Sequence, residues 1–339
     1  MRRILKKKLH TLVVAASLVA LTTGFASTRI EAKSPGQSEH DRIVKFWTNA
    51  RVARAVPRDF IRNPKSRSFK PIQWKSMPST VPTAMNWTNG GEVSTSTGKV
   101  FFVMGTTYYL CSASVISENT NGRSIVLTAG HCAYDEVNKK FATNWIFIPE
   151  YYASPVPLNP TGSFCSSTSK GCWTAASLVV SNSYANAGAF NDRAVLHDYA
   201  FAVMGGGGKS GDADLQAVAS SHPIVTALQG SDDDTWIFGY PASGKYKGKT
   251  LMYCNGMLGF DTRMDFGTYR IPCSLTAGSS GGPWFHPFTI DGTGSQFSVN
   301  SYTYGGSKAM HGPIFGAETQ EMFNLAKSTT GNVLYDETP

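Results

Sequence analysis

From about Lys99 onward the chain alternates short apolar runs with clusters of Gly, Ser, Asn and Asp. The runs at 100–104, 108–116, 124–128, 145–148, 200–204, 235–240 and 312–315 are each about one strand long. Strand-length runs punctuated by turn residues predict an all-β sandwich or barrel. Only 318–327, near the C-terminus, carries a helical pattern in this part of the chain. Gly205–Gly208 followed by Lys209 and Ser210 resembles half of a phosphate loop, but Val203 stands where the first glycine belongs and no helical pattern follows. The glycine run therefore reads as a flexible connector between two β halves. No internal repeat is visible.

The first 85 residues differ in kind. Residues 1–26 have a basic start, Arg2 to Lys8, then an apolar stretch from Leu12 to Leu21 and the small residues Gly24 and Ala26. That is the layout of a secretory signal, with cleavage expected at Ala26–Ser27, and the apolar stretch is too short to span a bilayer. Residues 27–85 hold six prolines, no cysteine and a net charge of +8, and 43–55 could form one amphipathic helix ending before Pro57. They read as a pro-segment ahead of a main domain at 86–339. A basic segment joined to an acidic body is drawn onto it, so this one is expected to mask the site until removed.

Charge then removes one function class. The overall +8 comes from +5 in residues 1–26, +8 in 27–85 and −5 in 86–339, where 14 basic residues face 19 acidic ones. The body thus lacks the basic footprint of a nucleic-acid binder. No apolar run reaches the length of a membrane helix, so stable membrane insertion is not expected. With export, the six cysteines read as three disulfides, for which sequence alone allows about 15 pairings. No Cys-x-x-Cys occurs, and neither a metal nor a cofactor is called for.

Three segments carry candidate chemistry: Leu127-Thr128-Ala129-Gly130-His131-Cys132, Leu196-His197-Asp198-Tyr199-Ala200-Phe201 and Gly278-Ser279-Ser280-Gly281-Gly282-Pro283. Hydrolysis by serine needs a hydroxyl, a base to take its proton, a buried acid to orient the base, and backbone N–H donors facing the developing oxyanion. Ser280 among glycines supplies hydroxyl and donors, His131 the base, and Asp198 the acid. Each segment alone is commonplace; their joint occurrence in the order His, Asp, Ser is specific. Asp192 is the alternative acid, less apt because Asp198 directly precedes an apolar strand. His197, His222, His286 and His311 read as spectators.

With these residues in place, the chain resembles the chymotrypsin/trypsin-type serine endopeptidases. Thr128 to Cys132 and Gly278 to Pro283 match the two signatures of that family, and Cys111 to Ile116 resembles the strand whose cysteine bridges to the one after the catalytic histidine. Gly239-Tyr240-Pro241-Ala242 and Cys273 resemble secreted bacterial-type members, as do Phe46-Trp47-Thr48 and 53–57 in the leader. The resemblance spans about 95–327. It implies two packed six-stranded antiparallel β-barrels, at about 95–205 and 206–327, with a cleft between them and a short C-terminal helix. It implies His131, Asp198 and Ser280 as base, acid and nucleophile, and the amides of Gly278 and Ser280 as oxyanion hole. Ser301 matches the family serine that supports the aspartate and lines the first specificity pocket. The implied disulfides are Cys111–Cys132, Cys165–Cys172 and Cys254–Cys273.

Two positions depart from the trypsin pattern. The residue before the nucleophile, an aspartate in that group, is Ser279, so activation by insertion of a new N-terminus is not expected and the oxyanion turn must be held in another way. Six residues before the nucleophile stands neutral Ser274 in place of the aspartate that binds Arg or Lys. A buried cation would lack a partner there, so a non-basic preference is expected. The expected protein is a secreted (extracellular or periplasmic) serine endopeptidase acting on proteins or peptides, with its own pro-segment as an inhibitor. The competing class is a silent protease-like scaffold that binds a partner.

Overall fold

In the computed structural model the described residues are 35–71, 84–118, 123–153, 163–265, 267–305 and 309–336. The signal segment and the cleavage position expected after Ala26 lie outside them.

Six strands close the first barrel: Thr97–Met104, Thr107–Ile116, Ile125–Thr128, Thr143–Pro149, Cys172–Ser181 and Ala200–Gly208. Each pairs antiparallel with its neighbours, and Thr107–Ile116 closes the ring onto Ile125–Thr128. Every second side chain, such as Val100, Phe102, Cys111, Ala113 and Val115, points into the barrel core, as a period of two requires. The alternate residues are also buried. Phe101, Val103 and Ile146 pack under Ile43 and Trp47 of the leading segment, while Phe201 and Val203 pack under the C-terminal helix Ala317–Ala326.

The second half is two facing sheets. One orders Gly294–Val299, Pro283–Phe288, Asp234–Gly239, Met252–Met257 and Met85–Asn86; the other orders Gly259–Phe260, Thr268–Pro272, Ala309–Pro313, Tyr302–Tyr304, Phe60–Arg62 and Phe69–Pro71. Ile237, Tyr269, Ile271, Trp284, Phe297 and Met310 fill the space between them, and Cys254–Cys273 ties the sheets together. The architecture is a chymotrypsin-like double barrel of mostly β structure. The other bridges join Cys111 to Cys132 and Cys165 to Cys172, the pairing that the resemblance implies.

Two local expectations need correction. The glycine run is no connector: Gly205–Gly208 continues the last barrel strand, with Gly207 opposite Trp173 and Gly208 opposite Cys172. A Cβ on Gly207 would meet the Trp173 ring and the Cys172 carbonyl at 2.6 Å, so these glycines let strand and indole approach. The single helix expected at 43–55 is two, Pro35–Phe46 and Asn49–Arg54. The break falls where Trp47 turns inward, fully buried, and donates its Nε1–H to the Asn144 carbonyl at 2.6 Å. Thr48 then caps the second helix, accepting from the Arg51 N–H.

Two buried histidines make the fold sensitive to acid. His222 sits between Ser96 Oγ and the Gly294 carbonyl; His311 stacks on Tyr302, 3.7 Å from Asp261. Burial lowers both to about 4 from an ordinary 6.5. Because the folded value is depressed, the folded state binds fewer protons than the unfolded one between these limits. The stabilisation is complete above pH 6.5 and lost as pH falls towards 4, at up to about 3 kcal/mol per histidine. Denaturant titrations should show unfolding free energy dropping across that window; a level profile would contradict the burial of neutral imidazoles.

Candidate active site

Ile125–Thr128 and Ala200–Gly208 are neighbouring strands, with Thr128 opposite Ala200. The chain beyond Thr128 turns through Gly130–Cys132 and is fastened by the Cys111–Cys132 bridge. His131 thereby meets Asp198, which leads into the second strand. The His131 N–H donates to Asp198 Oδ1 at 2.8 Å, and Nδ1 lies 2.8 Å from Oδ2, with both side chains sealed from solvent. Ser301 Oγ donates to the same Oδ2 at 2.5 Å. Gly130 leaves room for this contact, since a Cβ there would press on Asp198 Oδ1 and the Tyr184 ring at 3.2 Å. Held by Asp198 through the backbone N–H and Nδ1, the ring is fixed so that Nε2 is the nitrogen left free to act.

Ser280 lies on the turn before Pro283–Phe288. Gly278 has φ +101°, a region glycine alone adopts readily, and a Cβ would strike Ala242 Cβ and the Tyr240 carbonyl at 2.9 Å. The structure also answers how the turn is held with Ser279 at the aspartate position. Ser279 Oγ donates to the Thr276 carbonyl at 2.8 Å, and its own carbonyl accepts from Asn300 Nδ2 at 3.0 Å. Asn300 Nδ2 also reaches the Phe238 carbonyl, while its Oδ1 accepts from Trp284 Nε1. From the first barrel, Ser112 Oγ donates to the Gly278 carbonyl and the Ser112 N–H to the Ser280 carbonyl. Neutral hydrogen bonds thus hold this turn.

Across this cleft lies the leading segment. Val56–Pro57 runs parallel to Tyr109–Leu110 of the first barrel, and Phe60–Arg62 parallel to Tyr302–Tyr304 of the second. Between them, Asp59 reaches the candidate nucleophile: Ser280 Oγ donates to its Oδ1 at 2.6 Å and the Gly278 N–H to its Oδ2 at 2.8 Å. His131 Nε2 is buried with no hydrogen-bond partner among the described residues. Phe60 stacks on Phe190 at 4.0 Å, and both rings stand edge-on to the imidazole. Burial pushes the Asp59 carboxyl above its ordinary value; the nearby His131, Ser280 hydroxyl and Gly278 N–H oppose the rise, and Asp198 adds to it.

The remaining residues singled out from sequence fall elsewhere. Asp192, the alternative acid, is held in a two-point ion pair by Arg62 at 2.9 and 2.7 Å. His197 pairs with Glu318 and His286 faces the Asp234 carbonyl. Ser274 is buried; its Oγ accepts from the Ala84 N–H at 2.7 Å and sits 3.0 Å from the Tyr246 hydroxyl. Cys111, Cys132 and His131 crowd together in the way metal ligands do, but both sulfurs are spent in the disulfide. Sequence reasoning missed Asp59, Asn300 and Ser112. Only Asp59 carried a signal, as the one acidic residue between Arg42 and Gly91 in a basic stretch.

No protein-family model matches the chain, and no curated protein matches it. Solved structures do. A thermostable serine protease, AL20, from an extremophilic microorganism is 36% identical, with a TM-score of 0.57 over 70% of this chain and 98% of that one. The protease Anisep from Arthrobacter nicotinovorans is 34% identical, with a TM-score of 0.57 over 69% and 96%. A Glu endopeptidase in complex with MPD, 17% identical with a TM-score of 0.52 over 74% and 99%, shares the fold. Double-barrel topology and identity over nearly the whole of two such proteases agree: the chain belongs to the chymotrypsin-like serine proteases.

Proposed function

We propose that this chain is a secreted serine endopeptidase, made as a zymogen, that cuts peptide bonds through His131, Asp198 and Ser280 with a non-basic preference on the acyl side. The observation that carries the reading is the buried His131–Asp198 pair beside a serine on a glycine turn. In the mechanism, Ser280 Oγ attacks the scissile carbonyl as His131 Nε2 takes its proton. Asp198 steadies the imidazolium, and the N–H groups of Gly278 and Ser280 receive the oxyanion. The imidazolium then protonates the leaving amine, and the acyl-enzyme is hydrolysed by a water that His131 deprotonates.

Latency is supported by what faces the nucleophile. Asp59 presents a side-chain carboxylate, where a substrate presents a peptide carbonyl, so the bound leader offers Ser280 no bond to cut. Non-basic preference is supported by Ser274, whose neutral oxygen gives a buried cation no countercharge. Export is supported by the leader pattern and three disulfides, and no described helix is long and apolar enough to cross a membrane.

The test is a mixed peptide library digested by the chain after its leader has been removed, read by mass spectrometry, with a fluorophosphonate probe run in parallel. Cleavage after uncharged residues and a single label on Ser280 are the expected outcome. Neither cuts nor label from leader-free protein would favour the silent binding scaffold. Cuts confined to Arg or Lys would overturn the pocket reading alone.

A further inference from the structure

The leader fills a second pocket beside the catalytic histidine. Arg58, one residue before Asp59, is buried, and its guanidinium is spent on groups of the body. Nη2 donates to Glu136 Oε2 at 2.9 Å, and Nη1 donates to the backbone carbonyl of His131. Tyr184 donates its hydroxyl to the same Glu136 oxygen at 2.9 Å. Glu136 is itself 1% exposed, so this is an interior carboxylate with one cation. Arg58 reaches it from the short link between Val56–Pro57 and Phe60–Arg62, so departure of the leader opens the pocket onto the cleft and leaves Glu136 with the Tyr184 hydroxyl.

A buried carboxylate that loses its cation is left unpaired at a cost, which favours a replacement cation. The position of the pocket says where that cation would sit. The Arg58 N–H faces the Leu110 carbonyl, and Val56–Pro57 continues along Tyr109–Leu110. Asp59 then faces Ser280, and Phe60–Arg62 runs on beside Tyr302–Tyr304, next to Ser301, so Arg58 and Ser301 belong to opposite ends of the segment that crosses the nucleophile. If Ser301 lines the pocket for the acyl residue, the Glu136 side holds the leaving-group residues.

We propose that Glu136, with the Tyr184 hydroxyl and the His131 carbonyl, forms a leaving-group-side subsite for arginine, and more weakly for lysine, one or two residues after the scissile bond. The proposal rests on the peptidase reading above. A guanidinium suits it better than an ammonium because two separate acceptors are presented to a planar fork. The enzyme would thus be neutral in taste before the cut and basic after it, and Arg58 occupies the second site in the uncut chain.

The test uses the full chain, folded with its leader and then freed of it by limited proteolysis. Internally quenched peptides share one acyl half and carry Arg, Lys, citrulline or Glu in the first and second leaving-side positions. Citrulline keeps the shape of arginine without its charge. Arginine is expected to exceed citrulline about 10- to 100-fold in kcat/KM, with Glu poorest. In Glu136→Gln that ratio should collapse towards one, whatever the variant's overall rate. Equal rates for arginine and citrulline in the natural protein would overturn the subsite while the peptidase reading stands. A preference that survives Glu136→Gln would overturn it as well, and a variant that fails to fold still leaves the citrulline comparison decisive. Absence of any cleavage, with no fluorophosphonate label, would remove both readings together.

Discussion

Replacing Ser280 by alanine in leader-free protein is expected to lower kcat for peptide hydrolysis by about 10⁵- to 10⁶-fold, with little change in KM. The size follows from what is lost. Without the hydroxyl no acyl-enzyme can form, and His131, locked by Asp198 and Ser301, has only water to activate. What survives is the pair of backbone N–H groups at 278 and 280 and the binding cleft, which support a rate above that of water. His131→Ala should fall to a similar level, and the double variant should fall little further, since the two side chains act in one step. Stopped-time peptide assays on the three variants would decide it. Additive losses would mean that the hydroxyl and the imidazole work independently, and a rate unchanged in Ser280→Ala would remove the triad assignment.

The candidate catalytic segments are legible in sequence because the chemistry they suggest is local. A nucleophile on a turn needs glycine where φ is positive, as at Gly278, and a histidine on a tight turn beside a bridged cysteine leaves a recognisable string. The first barrel is legible for a related reason: strands such as Thr97–Met104 bury the consecutive apolar residues Val100 to Met104 between two cores. Cys172–Ser181 escapes because its buried positions include Thr174 and Ser177, so polarity no longer reports burial. Met252–Met257 contains Asn255 and Gly256 and is half exposed. The parts that brace the turn at Gly278–Pro283 are invisible for a different reason. Asn300 and Ser112 matter through the carbonyls they touch, more than twenty residues away or on the other barrel. Likewise the helix break at Trp47 is imposed by its docking on Asn144, which overrides a continuous amphipathic pattern.

Asp59 is where sequence distance and function diverge most, and its removal is the second large effect expected. In the uncut chain, Asp59→Ala should raise the rate of fluorophosphonate labelling at Ser280 about 10- to 100-fold, through the loss of two buried hydrogen bonds in the site. Asp59→Asn, an uncharged mimic of the protonated carboxyl, should label no faster than the natural chain and, like alanine, lose the pH dependence. The effect is bounded because Arg58–Glu136, Arg62–Asp192 and the Phe60–Phe190 stack continue to hold the leader in place. Acidity should act through the same group. Asp59 has a raised value in the cleft and an ordinary one, near 3.8, once the leader swings free. Protonation therefore favours the closed form, fully below 3.8 and progressively less as pH rises through the raised value. Dividing the labelling rate of the uncut chain by that of leader-free protein at each pH isolates the contribution of the leader. That ratio should climb with pH in the natural chain and lose its dependence in Asp59→Ala. A ratio independent of pH, or an Asp59→Ala variant labelled no faster than the natural chain, would mean that the carboxylate fills the site without restraining it.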